Sequence, residues 1–293
     1  MPLGRISADA PGPDRPARTA GAASAESAPA PGAPAASAPA AAAPASATPA
    51  VALRAVVVRY GEKVALEASL SVAPGERVAL VGPSGAGKST VLGLCSGARA
   101  LSAGSVDVLG TDLATATPRQ LRALRARTGT VHQRLDLVGP LSALQNVSAG
   151  RLGRWGLATS LVSLIRPLQT EPALAAMRSL GIEDLARTRT ERLSGGEQQR
   201  VALARLLVQE PALVLADEPI SSLDPERARA VMQMLTEVVA TGQRTLLISL
   251  HDFDVARETC DRVVGLRQGR IAFDLPAAEV TARHRDALYR LET

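Results

Sequence analysis

Apolar positions along the chain separate a bare extension from an alternating domain that a helical stretch interrupts. Residues 1–50 carry only Met1, Leu3 and Ile6 as large apolar side chains. From Val51 onward, short apolar runs alternate with stretches of helical period. Leu53–Arg59 and Val64–Val72 predict strands joined by a turn at Gly61. Pro74-Gly75 predicts the next turn, and the continuous run Arg77–Val81 a buried strand. Gly104–Leu109 predicts a strand, Arg119–Arg127 a helix, and Thr130–Gln133 a strand. The rhythm then changes. Between Asp136 and Arg192 the helical segments Ser142–Gly150, Thr159–Ile165 and Pro172–Leu180 are separated by Gly or Pro, which predicts a mostly helical insertion. Beyond it come helix Val201–Gln209, strand Ala212–Asp217, helix Glu226–Ala240 and strand Arg244–Leu250. A hairpin-like pair (Asp261–Leu266, Arg270–Phe273) and a terminal helix (Ala277–Leu291) complete the chain. Strands that read as unbroken apolar runs between helices point to an α/β protein with a buried parallel sheet.

Composition changes this picture at the N-terminus. Residues 1–50 are mostly Ala, Pro, Ser and Gly, and Pro29, Pro31, Pro34, Pro39, Pro44 and Pro49 recur every few residues. Such a segment cannot bury enough surface to offset its chain entropy, so a disordered extension is expected there. The length of 293 residues allows one large domain or two small ones. Of 293 residues 46% are hydrophobic but only 2% aromatic, so the core must be aliphatic. Cys95 and Cys260 lie far apart, without metal-ligand spacing or a disulfide framework, which suits a reducing compartment. The apolar runs fall far short of the ~20 residues a membrane helix needs, and no signal-peptide core is expected at the N-terminus. The net charge of +5 rests on scattered arginines with few aromatics for base stacking, so no nucleic-acid partner is expected.

The chemistry concentrates in Gly82–Thr90, which reads GPSGAGKST. A strand, a glycine-rich turn ending in Lys-Ser, and a helix form the context of the P-loop pattern. Gly82, Gly85 and Gly87 allow the backbone to form a concave nest of N–H groups facing phosphate oxygens. The following helix N-terminus adds unpaired donors. Lys88 is placed to reach β- and γ-phosphates and the Ser89 hydroxyl to ligate Mg²⁺. Lys88 is also one of only two lysines, beside Lys63, in a chain whose basic residues are otherwise arginine. A compact ammonium is kept where a planar guanidinium would not fit.

A second group of residues lies downstream. The strand ALVLAD, followed by Glu218, delivers two acids at the C-terminal edge of the sheet, where ligands of parallel α/β folds bind. Asp217 suits Mg²⁺ held through water, and Glu218 suits activation of an attacking water. His251 ends another buried strand, at the same edge. Gly195 and Gly196 in LSGGEQQR make a second helix start able to face an anion. Tyr60, at the end of the first predicted strand and 22 residues before Gly82, is either an aromatic that stacks on a nucleotide base or an ordinary strand-end tyrosine.

P-loop, Gln133, LSGGEQQR, ALVLADE, SSLDP and His251 occur in that order. Together they closely resemble the nucleotide-binding subunit of ABC transporters, from Val51 to about Val280. The resemblance implies an α/β P-loop NTPase (RecA-like) core with an antiparallel β subdomain and an α-helical subdomain inserted at about 136–206, all within a domain spanning 51–293. It implies that Gly82, Pro83, Ser84, Gly85, Ala86, Gly87, Lys88, Ser89 and Thr90 bind ATP while Tyr60 stacks on adenine. Ser89, Gln133 and Asp217 are expected around Mg²⁺. Glu218, His251 and Gln133 are the expected catalytic group. Ser194, Gly195, Gly196 and Glu197 match the signature that closes on the ATP held by a second copy, and Ser222 and Asp224 match the D-loop. The implied partners are a second ATPase subunit in a homodimer, transmembrane permease subunits gripped by the 133–192 region, and a separate solute-binding protein. The implied location is peripheral, on the cytoplasmic face of the inner membrane.

A finer resemblance concerns the solute. Val131–Gly153, Trp155, Ser160–Pro167 and Ser249–Ile271 resemble phosphonate-import ATPases, although Leu135 stands where that family commonly has an aromatic. An exporter or lipoprotein-release complex is the alternative for the same engine, and dependence on a binding protein separates them. A soluble ABC protein acting on DNA or ribosomes would usually carry two cassettes or a long coiled-coil insertion, and neither is visible. A non-hydrolysing scaffold is disfavoured by Glu218, Gln133 and His251.

Overall fold

The computed structural model describes residues 48–132, 135–154, 170–221, 223–241 and 243–290. The expected disorder of residues 1–47, the expected helix Thr159–Ile165, and Trp155, Gln133 and Ser222 lie outside the described residues. Order is already present at Ala50, whose N–H donates to the Val72 carbonyl at 2.8 Å.

Two sheets form the body. Strands β1 (Val51–Tyr60), β2 (Lys63–Val72), β4 (Ala103–Val108) and β5 (Thr111–Asp112) make an antiparallel sheet, ordered β2-β1-β4-β5. The larger sheet contains β3 (Arg77–Val81), β6 (Thr128–His132), β7 (Leu213–Asp217), β8 (Thr245–Leu250), β9 (Arg262–Arg267) and β10 (Arg270–Pro276). Its order among the described residues is β10-β9-β3-β8-β7-β6, parallel throughout except for the β9–β10 hairpin. The helices are α1 (Lys88–Cys95), α2 (Pro118–Arg127), α3 (Ala143–Ser148), α4 (Thr170–Ser179), α5 (Gly195–Gln209), α6 (Pro225–Thr241), α7 (Phe253–Thr259) and α8 (Ala282–Tyr289).

The unbroken apolar strands have two buried faces, as their sequences require. Val78, Leu80, Leu213, Leu215 and Leu247 pack on one side with Leu94 of α1 and with Val51, Leu66 and Val106 of the smaller sheet. Ala79, Val81, Val214, Ala216 and Ile248 pack on the other with Leu203 of α5 and Met232 and Leu235 of α6. Each buried Leu or Val contributes roughly 1.5–3 kcal/mol. A separate aliphatic core (Ala143, Val147, Met177, Ile182, Val201 and Ala204) holds α3, α4 and α5 together. No strand occurs among the described residues between Asp136 and Arg192, in keeping with the helical insertion. No described helix is long and apolar enough to cross a membrane.

Arg262 ties the sheets together. Its guanidinium holds Asp274 at 2.5 and 2.6 Å, Glu76 at 3.1 Å, and the Ser71 carbonyl of β2 at 3.0 Å. Hydrogen bonding to Asp274 raises its pKa against the effect of burial.

Helix α5 begins at Gly195, the helix start expected there, and runs on through Val201–Gln209; Ser194 and Glu197 form a capping box that starts it despite two glycines. Two helical segments differ from the sequence expectation. The terminal helix is broken. Ala277–Glu279 is a 3₁₀ turn, Val280 is extended, and α8 starts after the Thr281 cap. The short helix α7, started by Asp252 accepting from the Asp254 and Val255 N–H groups, was not anticipated.

Candidate functional site

Adjacent strand ends assemble the site. Strand β3 lies between β8 and β9, and its last residue Val81 is in register with Leu250 of β8. The P-loop leaves β3 at Gly82, whose φ is 151° and where a Cβ would meet the Leu266 carbonyl oxygen at 2.1 Å. Only glycine permits that approach. Gly85 (φ 79°) faces open space, with nothing within 4 Å of a built Cβ. Gly87 (φ 108°) precedes α1, which has no side-chain cap and no acid in its first turn. The first-turn N–H groups are therefore left for an anion.

Lys88 is buried, 4% exposed, with Nζ donating to the carbonyls of Gly82 at 2.7 Å and Pro83 at 3.3 Å. Glu218 Oε1 lies 3.9 Å from the same ammonium. Burial lowers the Lys88 pKa, and the charges of Glu218 and Asp217 oppose that shift.

The acids converge as their strand requires. Ser89 Oγ donates to Asp217 Oδ1 at 3.1 Å, joining the start of α1 to the end of β7. Ser249 Oγ donates to the same oxygen at 2.6 Å and accepts the Glu218 N–H at 2.9 Å. His251 Nε2 lies 2.6 Å from Glu218 Oε1. Glu218 itself has φ 49°, a left-handed backbone that a non-glycine residue rarely adopts. Strain of that kind is held where the surroundings over-determine it, and here Ser249 fixes the Glu218 amide. Glu218, Ser221, His251 and Asp252 line one cavity, while Ser89, Asp217, Thr130 and His132 line another.

Ser249 is the residue the sequence reading missed. It is wholly buried and follows the apolar run Leu246–Ile248 of the strand TLLISL. A hydroxyl in such a run must find a partner, and that was the available signal.

The remaining expected residues are distributed around this centre. Tyr60, at the end of β1, is half exposed. Arg99 donates to its hydroxyl and lies 5.7 Å from the ring centroid. Ser194 caps α5, and Glu197 Oε2 accepts from the Ser194 N–H at 2.7 Å and hydroxyl at 2.8 Å. The Ser194 hydroxyl lowers the Glu197 carboxyl pKa. Gly195 and Gly196 open onto free space. Among the described residues, no hydrogen bond or ion pair joins Ser194–Glu197 to the P-loop of the same chain. Asp224 accepts the Arg227 N–H at 3.1 Å at the start of α6.

For Mg²⁺, the donor chemistry fits. Magnesium keeps several waters and takes one or two protein oxygens plus phosphate oxygens. Ser89 Oγ and Asp217 Oδ1, 3.1 Å apart, supply such a pair beside the P-loop.

The class defined by this fold and site agrees with comparisons to known proteins. The ABC transporter family profile matches residues 66–221, more than half of the chain. The chain belongs to the ABC transporter family of ATP-binding proteins. Among its curated relatives is the phosphonates import ATP-binding protein PhnC of Anaeromyxobacter dehalogenans, 50% identical over 231 residues. That match covers 78% of this chain but only 46% of the relative. A Pseudomonas aeruginosa protein of the same description is 45% identical over 79% of this chain and 87% of its own length. The hypophosphite import ATP-binding protein HtxD of Stutzerimonas stutzeri is 42% identical over 79% of this chain and 68% of its own. Of solved structures, cbiO1 from Clostridium perfringens, part of the cbiONQ ABC transporter complex, superposes with TM-score 0.69 at 27% identity, covering 83% of this chain and 96% of its own. The cassette MJ0796, solved as a dimer bound to ADP and Pi, superposes with TM-score 0.64 at 29% identity over 78% of this chain and 98% of its own.

Proposed function

We propose that this chain is the ATP-hydrolysing subunit of an ABC import complex that energises uptake of phosphonates or a related phosphorus oxyanion. The observation that carries the hydrolytic part is the 2.6 Å contact between Glu218 and His251, next to Asp217 and Lys88. The solute class rests on relatives described as phosphonate and hypophosphite import ATP-binding proteins.

In this reading the residues Gly82–Thr90 bind the ATP phosphates through backbone N–H groups and Lys88, and Tyr60 stacks on adenine. Ser89 and Asp217 hold Mg²⁺, joined by Gln133. When bound, the ion supplies charge neutralisation at the phosphates. Glu218 accepts a proton from the attacking water, and His251 fixes the carboxylate that does so. Burial and proximity make Lys88 an electrostatic clamp on the phosphates.

A single P-loop surrounds only one side of the terminal phosphate. The open N-terminus of α5, with Ser194, Gly195, Gly196 and Glu197, suits the other side in a second copy. A two-fold homodimer supplies two such composite sites, with Ser222 and Asp224 near the junction. Closure excludes water from the reacting groups. The 133–192 region carries that motion to transmembrane permease subunits at the cytoplasmic face of the inner membrane, and a separate solute-binding protein supplies the cargo.

Mixing Glu218→Gln protein with ATP and measuring its mass in solution tests this reading. The expected result is a stable dimer that retains ATP, against a wild-type protein that turns ATP over. Monomer at saturating ATP, or unchanged turnover in the variant, overturns it.

A further inference from the structure

The C-terminal helix reaches the catalytic edge of the sheet. The Tyr289 hydroxyl donates to the backbone carbonyl of His251 at 3.3 Å. Burial pushes the pKa of this phenol up, and the nearby Gly82 amide opposes that shift. The hydroxyl therefore holds the backbone of the histidine that contacts Glu218. The two strands concerned are neighbours, with Val81 opposite Leu250, so their loops diverge from one point.

The helix that carries Tyr289 is itself pinned to the sheet. Arg267, the last residue of β9, donates to the carbonyls of Ala287 and Arg290, each at 2.9 Å. Leu288 is buried in the same core as Phe253 and Ala256 of α7, and His284 packs on Phe273 with ring centroids 5.3 Å apart. The phenol is thus delivered by a pinned helix, and its hydrogen bond goes to a backbone carbonyl. A backbone carbonyl held by a donor fixes the direction of its residue, which is what a 2.6 Å contact to Glu218 demands.

We propose that Tyr289 is a positioning residue for hydrolysis, holding the His251 backbone against α8 so that its imidazole meets Glu218. The proposal rests on the ATPase reading above. It gives α8 a direct part in the reaction cycle. A movement that lifts the end of α8 would release His251 without touching the nucleotide.

Tyr289→Phe keeps the ring and removes the hydroxyl. In the full-length protein, kcat should fall about three- to tenfold with KM for ATP unchanged, as expected for one lost hydrogen bond that acts on the chemical step. Backbone hydrogen exchange around residues 250–254 should speed up by about the same factor, with α8 and β9 unchanged. An unchanged kcat, a parallel rise in KM, or faster exchange spread through α8 and β9 overturns the proposal. Wild-type and Glu218→Gln turnover, measured alongside, judge the ATPase reading separately. Should the wild type hydrolyse no ATP, the exchange measurement alone decides the tether: faster exchange confined to 250–254 supports it and unchanged exchange overturns it.

Discussion

The Nε2 atom of His251 lies 2.6 Å from Oε1 of Glu218, across two neighbouring strand ends. The contact places a ring nitrogen on the carboxylate to which the proposed function assigns the proton of the attacking water. His251→Ala should therefore lower ATP turnover by about a hundredfold or more while ATP affinity stays within about twofold. Steady-state kinetics with a fluorescent nucleotide titration checks this.

Lys88 leaves no room for a larger cation. It is buried and held by two loop carbonyls. Lys88→Arg should weaken ATP binding about tenfold or more even though charge is kept, because a planar fork cannot occupy the nest of a point charge. Lys88→Ala should lose at least as much. Equilibrium nucleotide binding separates these from turnover effects.

Ser249 bridges Asp217 and the Glu218 amide from a wholly buried position. Ser249→Ala leaves that amide unpaired, so unfolding free energy should drop by about 1–3 kcal/mol. Turnover should fall as well, since both acids lose their fixed partner. Chemical denaturation and kinetics on one preparation test both.

The Arg77–Asp261 pair gives a pH signature. Asp261 accepts from the Arg77 N–H at 2.9 Å and from its guanidinium at 3.1 and 2.5 Å. Burial pushes the Asp261 pKa up, but the Arg77 hydrogen bonds and charge together pull it below its usual value. A carboxyl depressed in the folded state adds stability above its unfolded pKa, about 3.9, and loses it as pH falls through the folded value. The stability gap between wild type and Asp261→Asn should be constant above about pH 5 and close steadily below about pH 4. Urea unfolding at a series of pH values measures it.

Much of this was legible in the sequence because its local and global signals agree. Arg77–Val81 and Leu213–Asp217 read as buried strands because both faces are apolar, and both faces are buried. Glycines at 82, 85 and 87 marked the P-loop because each has positive φ. The start of α5 was local too: Ser194 and Glu197, three residues apart, form a capping box that outweighs the poor helix propensity of Gly195 and Gly196. Other features needed tertiary context. The break at Val280 reflects burial of that residue against the core, which helical periodicity cannot reveal. Ser249 and Tyr289 have no local motif, since their partners lie on other elements, at Asp217, Glu218 and His251.

The measurement closest to the central claim is uptake of a labelled aminoalkylphosphonate by phosphate-starved cells. Cells lacking this gene would be compared with the same cells carrying it intact or as Glu218→Gln. Uptake that disappears on deletion and returns only with the intact gene is the expected result. Uptake that persists on deletion in cells with no redundant transporter, or that returns with Glu218→Gln, would contradict the account.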